Sequence, residues 1–295
     1  MAKVGFIGLG NMGLPMSGNL VKKGHQVSGF DISADNIARA KARGVAAAAS
    51  AADAAKGADI VVTMLPAGKD TIAVYERSGI LEAAPKGAVL VDCSTIDVAS
   101  ARKAHELARA AGLASLDSPV SGGVTGAEAA TLTLMVGGAA AALEKARSAL
   151  EAMGKRVVHC GDAGAGQAAK ICNNMMLAIN MLGVCEGFVL AEKLGLSHKA
   201  LFDVASTSSG QSWALTGYCP VPALVPTTPA NSGYKPGFAS ALMLKDLKLS
   251  QEASQASGST TPMGALAAQL FALHNAWGEG GADFSSIIHL IRGKS

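Results

Sequence analysis

The first strand-like run of the chain, Val4-Gly5-Phe6-Ile7, passes directly into Gly8-Leu9-Gly10-Asn11-Met12-Gly13. A helical pattern covers 14–23, and a second apolar run ends in Phe30-Asp31. Strand, glycine turn, helix, strand and acid in this order make up a dinucleotide-binding βαβ unit. The first glycine makes the tight turn, the second admits a pyrophosphate to the backbone, and the third lets helix and strand pack closely. The helix start then offers unpaired N–H groups to the phosphates. Asp31 stands where an acid accepts the ribose hydroxyls of NAD and repels the extra phosphate of NADP. Its neighbours Ile32, Ser33 and Ala34 supply no arginine for that phosphate. The cofactor expected is therefore NAD, held by Gly8, Leu9, Gly10, Asn11, Met12, Gly13 and Asp31.

Short β-rich runs at 3–8, 26–31, 59–65, 88–93, 132–137 and 156–159, with another near 115–117, alternate with helical patterns such as 97–111 and 139–152. That alternation predicts an α/β domain over 1–162, a mostly parallel, doubly wound sheet of the Rossmann type covered on both faces. Leu65-Pro66 and Ser94-Thr95 each follow a strand and so fall at its carboxyl end, where ligands of such sheets bind. From 166 to about 193 there is no proline, and Ile171, Met175, Ala178, Leu182, Cys185 and Val189 recur on one helical face. The other faces are also fairly apolar, which predicts a buried helix over 163–194 joining two domains. The region 195–295 reads as all helix, over 197–207, 238–256 and 262–277, apart from a proline-rich loop at 217–237.

Composition narrows the function. The net charge is +3 and the basic residues are scattered, so no nucleic-acid partner is expected. Six dispersed histidines and five dispersed cysteines form no metal-ligand spacing, so no metal is expected. The cysteines read as free thiols in a reducing compartment, with Cys93, Cys172 and Cys185 as core residues. The apolar stretch 175–190 is interrupted by Asn180 and Glu186 and falls short of the ~20 residues of a membrane span. No signal or transit pattern precedes the first strand, so the location expected is cytoplasmic, or the mitochondrial matrix for a processed form.

Three places can carry chemistry. Lys170 lies among Ala168, Ala169, Ile171 and Cys172, with Asn174 four residues on and therefore on the same helical face. In an apolar pocket beside the positive nicotinamide its pKa falls and it becomes a general base; at a helix start it can equally reach solvent. The turn Asp117-Ser118-Pro119-Val120-Ser121-Gly122-Gly123 either holds a small carboxylate on backbone N–H groups and the Ser121 hydroxyl or is a plain glycine-rich turn. Lys245-Asp246 lies between Leu242-Met243-Leu244 and Leu247; it is either a solvated face or a pair set over the nicotinamide–substrate site, with Asp246 steering Lys245 or Lys170. Trp213 and Phe284 either line a pocket for a small aliphatic group or belong to the core.

These segments together resemble the β-hydroxyacid dehydrogenases, over essentially the whole length and most closely in their 3-hydroxyisobutyrate branch. The resemblance rests on Gly5 to Gly13, Asp117 to Gly123, Gly164-Ala165-Gly166-Gln167-Ala168-Ala169-Lys170 with Asn173-Asn174, and Lys245-Asp246-Leu247. Two further segments resemble that branch: Ser208 to Trp213 with the following Tyr218-Cys219-Pro220, and Asp283 to Ile287. The resemblance implies NAD⁺-dependent oxidation of (S)-3-hydroxyisobutyrate to methylmalonate semialdehyde, a step of valine breakdown. It implies that Lys170 is the catalytic acid/base assisted by Asn174. It places the substrate on Ser121, Gly122, Gly123 and Asn174, and Lys245 at the cofactor–substrate junction. Leu65, Pro66 and Thr95 become nucleotide contacts. Asp70 is a further nucleotide contact on this resemblance, standing where relatives often carry Asn, and Cys219 likewise departs from an Asn. Such enzymes assemble as homodimers or homotetramers. Reduction of tartronate semialdehyde or oxidation of another small 3-hydroxy acid shares the motifs. Imine reductases share the architecture but generally replace the lysine, and a nucleotide sensor without turnover shares the fold.

Overall fold

Residues 1–293 are described by the computed structural model of the chain. Among them nine strands form one sheet: β1 Lys3–Ile7, β2 Gln26–Phe30, β3 Ala46–Ala47, β4 Ile60–Thr63, β5 Val89–Asp92, β6 Ala114–Asp117, β7 Val120–Ser121, β8 Leu132–Gly137 and β9 Gly154–Gly161. Their order is β3-β2-β1-β4-β5-β6-β8-β7, with β9 paired to β8. The strands from β1 to β6 pair in parallel. β8 runs antiparallel to β6 and β7 and parallel to β9. β3 and β7 are missing from the sequence reading, because two residues carry no periodicity.

Side chains of the central strands alternate between two cores, as the pleat requires. Ile60, Val62, Val89 and Val91 join one. Val61 and Leu90 join the other. The first core is closed by α1 Gly13–Lys22, α2 Ala34–Lys41, α7 Gly123–Glu128 and α8 Ala140–Met153. The second is closed by α3 Ala51–Ala55, α4 Gly68–Arg77, α5 Ile80–Ala83 and α6 Val98–Ala110. Both faces are thus apolar and covered, which is why the strands read as near-continuous hydrophobic runs. Asp97 starts α6 by accepting the Ser100 N–H at 2.7 Å, and Ser33 starts α2 in the same way.

The chain divides into Met1–Lys170 and the part from Ile171 onward, and the division falls inside α9, Ala165–Lys193. At 1.5 Å per residue this helix is roughly 40 Å long. Ala178, Met181, Leu182, Cys185 and Phe188 pack into the core of the second unit. That unit also holds α10 His198–Ala205, α11 Trp213–Thr216, α12 Ser240–Ser257, α13 Pro262–Ala276 and α14 Ile288–Arg292. Asp283 ties loop 217–237 to this core: it accepts the Tyr218 hydroxyl at 2.8 Å and the N–H groups of Gly237 and Phe238.

Three expectations change. Helix α9 is not buried all round: Cys172, Met176, Asn180, Gly183, Gly187 and Leu190 are exposed along one face. Cys172 is therefore a surface thiol rather than a core residue, because it sits on that face and not with Ile171. The whole 29-residue helix, unlike its 175–190 portion, is long and apolar enough to cross a bilayer by length and composition. Its other faces pack into protein instead.

Candidate active site

The strand order reverses between β1 and β4, and ligands of open α/β sheets bind outside the carboxyl ends of the strands at such a point. The turn Gly8–Gly13 leaves β1 here and Leu65-Pro66 leaves β4. A side chain on Gly8 (φ +94°) would strike the Met64 carbonyl, and one on Gly13 would strike the Gly8 carbonyl. These two glycines serve packing. A side chain on Gly10 would meet nothing within 4 Å; its bareness leaves room for a ligand at the start of α1, as a pyrophosphate requires. The Asp31 carboxylate braces the same turn, accepting the Leu9 N–H at 2.7 Å and the Ser33 N–H at 2.8 Å. Each oxygen keeps a further lone pair for a ribose hydroxyl. These residues fit a dinucleotide.

Behind this edge lies a buried polar layer that the sequence reading did not single out. Asp92, at the end of β5, accepts from the hydroxyls of Thr63 at 2.7 Å and Ser94 at 2.6 Å. Burial pushes the Asp92 carboxyl above its ordinary pKa, partly offset by these bonds. The Ser94 hydroxyl in turn accepts the Leu65 N–H at 2.8 Å, so the loop carrying Leu65-Pro66 is anchored through Ser94 to Asp92. Thr95 follows, half-buried. Asp70 lies in the first turn of α4.

Ser121 ends β7, and Gly122 and Gly123 follow with φ of +132° and +62°. Two consecutive left-handed residues are what turn the chain so sharply here, and only glycine adopts them without strain. The result is a partly exposed run of backbone N–H groups beside the Ser121 hydroxyl, which suits a carboxylate.

Lys170 is 6% exposed, so it does not reach out to solvent from its helix start. Asn174, one turn further along α9, is also buried; it donates to Asp246 Oδ2 at 2.5 Å and accepts from Asn173 at 3.0 Å. One amide hydrogen of Asn174 remains for a ligand. Asn174, on α9, is thus one partner of the Asp246 carboxylate, and Lys245 is half-buried next to Asp246 on α12. The pair is not a solvated face.

The first turns of α9 are pinned from outside the helix. Asp117 accepts the Gly164 N–H at 2.8 Å and the Gln167 N–H at 2.9 Å. It is itself paired with His105 at 2.9 Å, whose other ring nitrogen meets Ser115. The buried Gln167 side chain accepts the Ile96 N–H at 3.1 Å and donates to the Ser94 carbonyl at 2.7 Å. Nothing in the spacing of His105 or Gln167 marks these roles.

Trp213 is 56% exposed and stacks on Tyr218, with centroids 5.1 Å apart; Tyr218 stacks on Phe284 at 5.2 Å. Phe284 is enclosed in the core. It therefore supports the stack from beneath, which favours the core reading of Phe284 over the pocket reading. Cys219 is buried without a structural reason for the departure from Asn. Among the described residues no group of three or more His, Cys, Asp or Glu side chains is placed to hold a metal ion.

Residues 3–161 match the family of the NAD-binding domain of 6-phosphogluconate dehydrogenase. Residues 164–291 match the family described as NAD-binding of NADP-dependent 3-hydroxyisobutyrate dehydrogenase. The chain is 50% identical to the probable 3-hydroxyisobutyrate dehydrogenase of Mycobacterium tuberculosis over 295 residues, covering 100% of this chain and 99% of that protein. It is 48% identical to the NAD-dependent L-serine dehydrogenase of Pseudomonas aeruginosa over 292 residues, covering 99% and 98%. The solved structure of the Mycobacterium tuberculosis 3-hydroxyisobutyrate dehydrogenase with L-serine superposes with a TM-score of 0.95, at 50% identity and 99% coverage of both chains.

Proposed function

The chain belongs to the 3-hydroxyisobutyrate dehydrogenase family, and on that premise we infer that it oxidises (S)-3-hydroxyisobutyrate to methylmalonate semialdehyde with NAD⁺. The observation that carries the mechanism is the burial of Lys170 at 6% exposure, one helical turn before the buried Asn174. A lysine so enclosed serves as a proton acceptor rather than a solubilising charge. Lys170 Nζ takes the hydroxyl proton in the oxidation and returns it in the reverse direction. The free amide hydrogen of Asn174 orients the substrate. Ser121 and the backbone of Gly122 and Gly123 bind the carboxylate. Gly8 to Gly13, Asp31, Leu65, Pro66 and Thr95 hold NAD⁺, which supplies the hydride acceptor when bound. The family resemblance assigns Lys245 to the cofactor–substrate junction, and Trp213, which rests on Tyr218, is assigned to the aliphatic part of the substrate. The buried lysine also weighs against imine reduction and against a sensor without turnover.

L-Serine is the second reading. It differs from 3-hydroxyisobutyrate by an ammonium in place of a methyl group, and two relatives are described with it. Initial rates with NAD⁺ on 3-hydroxyisobutyrate, L-serine, glycerate and tartronate decide between them: a kcat/KM highest for 3-hydroxyisobutyrate is expected, and a tenfold preference for L-serine would replace the first reading. Lys170→Ala should keep NAD⁺ affinity within about threefold and lose roughly 10²–10⁴ in kcat. A near-normal kcat would remove Lys170 from its role. Placement in valine breakdown, a cytoplasmic location and assembly into a homo-oligomer belong to the same proposal.

A further inference from the structure

We propose that Gln167 is a positioning residue that sets the distance between the nucleotide loop after β5 and the base Lys170. The inference rests on the roles given above to Thr95 and Lys170. Its ground is the pair of bonds made by one side chain. Gln167 Oε1 accepts the Ile96 N–H at 3.1 Å, and Gln167 Nε2 donates to the Ser94 carbonyl at 2.7 Å. Both partners are backbone groups, on either side of Thr95, so the amide grips that loop at two points and fixes how Thr95 is presented.

The same residue is fixed on its other side. Its backbone N–H donates to Asp117 Oδ2 at 2.9 Å, while Asp117 Oδ1 takes the Gly164 N–H at 2.8 Å. The carboxylate at the end of β6 thereby satisfies N–H groups that the start of a helix leaves unpaired. Helix α9 is thus attached to the ends of two neighbouring strands through Gln167. Lys170 follows three residues later, a rise of roughly 4.5 Å. All of these groups are buried, so a lost partner leaves a polar atom unsatisfied at a cost. The Ser94 hydroxyl continues the chain of bonds to Leu65 and Asp92, so both loops assigned to the nucleotide and the helix carrying the base form one bonded assembly.

Hydride transfer and proton transfer occur on the same substrate, so the cofactor and the base must be correctly spaced together. A misplacement of about 1 Å costs on the order of 10² in rate. Gln167→Met keeps the length of the side chain and removes both bonds. The test mixes a preformed enzyme–NAD⁺ complex with saturating 3-hydroxyisobutyrate in a stopped-flow instrument and follows NADH formation in the first turnover. A merely structural role lowers the amplitude, because fewer molecules fold, and leaves the rate constant unchanged. A positioning role lowers the rate constant, expected here by about 10²-fold. A rate constant within threefold of the parent, whatever the amplitude, overturns the proposal. Where Gln167→Met yields no folded protein, Gln167→Glu keeps the acceptor for Ile96 and is held to the same threshold, with a fall of about tenfold expected. If the parent enzyme itself forms no NADH with any acid of the panel, it is the functional reading that fails, not the role of Gln167.

Discussion

Asp31 shows how one side chain can carry two duties. Its oxygens accept the Leu9 and Ser33 N–H groups, which stiffens the glycine turn before any ligand arrives. On the proposed reading, its charge also excludes a phosphate on the ribose. Asp31→Asn keeps the shape, removes the charge, and sets an NH₂ against one of the two N–H groups. Both duties should weaken together: KM for NAD⁺ should rise several-fold, and the ratio of kcat/KM for NADP⁺ over NAD⁺ should rise about tenfold, or about 1.4 kcal/mol. An unchanged ratio from initial rates with the two cofactors would show that Asp31 only braces the turn. The acid was legible in the sequence because its place depends on a local order of strand, turn and strand. The fate of Lys170 was not. Its neighbours reveal the polarity of the segment, not the direction in which that face of the helix points, and only burial separates a base from a surface lysine. Cys172 was misplaced for the same reason.

At the scale of elements, helix α9 is secured at both ends by groups distant in sequence. Its start is held by Asp117 and Gln167. Near its end, Glu192 accepts from the Arg292 guanidinium on α14 at 2.5 Å and 3.1 Å and meets His198, at the start of α10, at 2.7 Å. Periodicity revealed the helix, since its pattern repeats along the chain. It could not reveal these ties, because no local pattern connects Glu192 with Arg292 or Gln167 with Ser94. The hydrogen bond from Arg292, followed by that from His198, holds the Glu192 carboxyl below its ordinary pKa. A carboxyl lowered in the folded state stabilises it above the unfolded pKa of about 4.3, and that contribution is lost as pH falls through the lower folded value. The pair is partly solvated, so its worth is about 1 kcal/mol. Glu192→Gln should therefore lower Tm by roughly 2–4 °C at pH 7, with the gap closing as pH drops below about 4. A gap that persists unchanged at pH 3 would assign the loss to packing rather than to charge.

For the whole molecule, the distribution of exposed apolar surface matters more than its amount. Among the described residues, eleven of the fifteen large hydrophobic side chains exposed to solvent lie in the second unit, so an association surface is expected there and not on the sheet-bearing unit. Met176 and Leu190, 61% and 60% exposed, lie on one face of α9, with Gly183 and Gly187 between them and Leu194, 75% exposed, just beyond. Glycines flanked by large apolar residues let another backbone come close while the larger side chains bury their area. A soluble monomer rarely keeps such a strip uncovered. The simplest cover is a second copy of the same chain, since a two-fold arrangement matches a patch with itself. Size-exclusion chromatography with light scattering should then give the parent a mass at an even multiple of 29.5 kDa. Met176→Glu combined with Leu190→Glu places like charges at a desolvated contact in both copies, and should shift the protein toward the single-chain mass with its helical circular dichroism intact. A parent that elutes as a single chain would exclude self-association through α9. A double variant that stays assembled would move the contact to another part of the second unit, where Met263, Leu266 and Leu273 of α13 are also exposed.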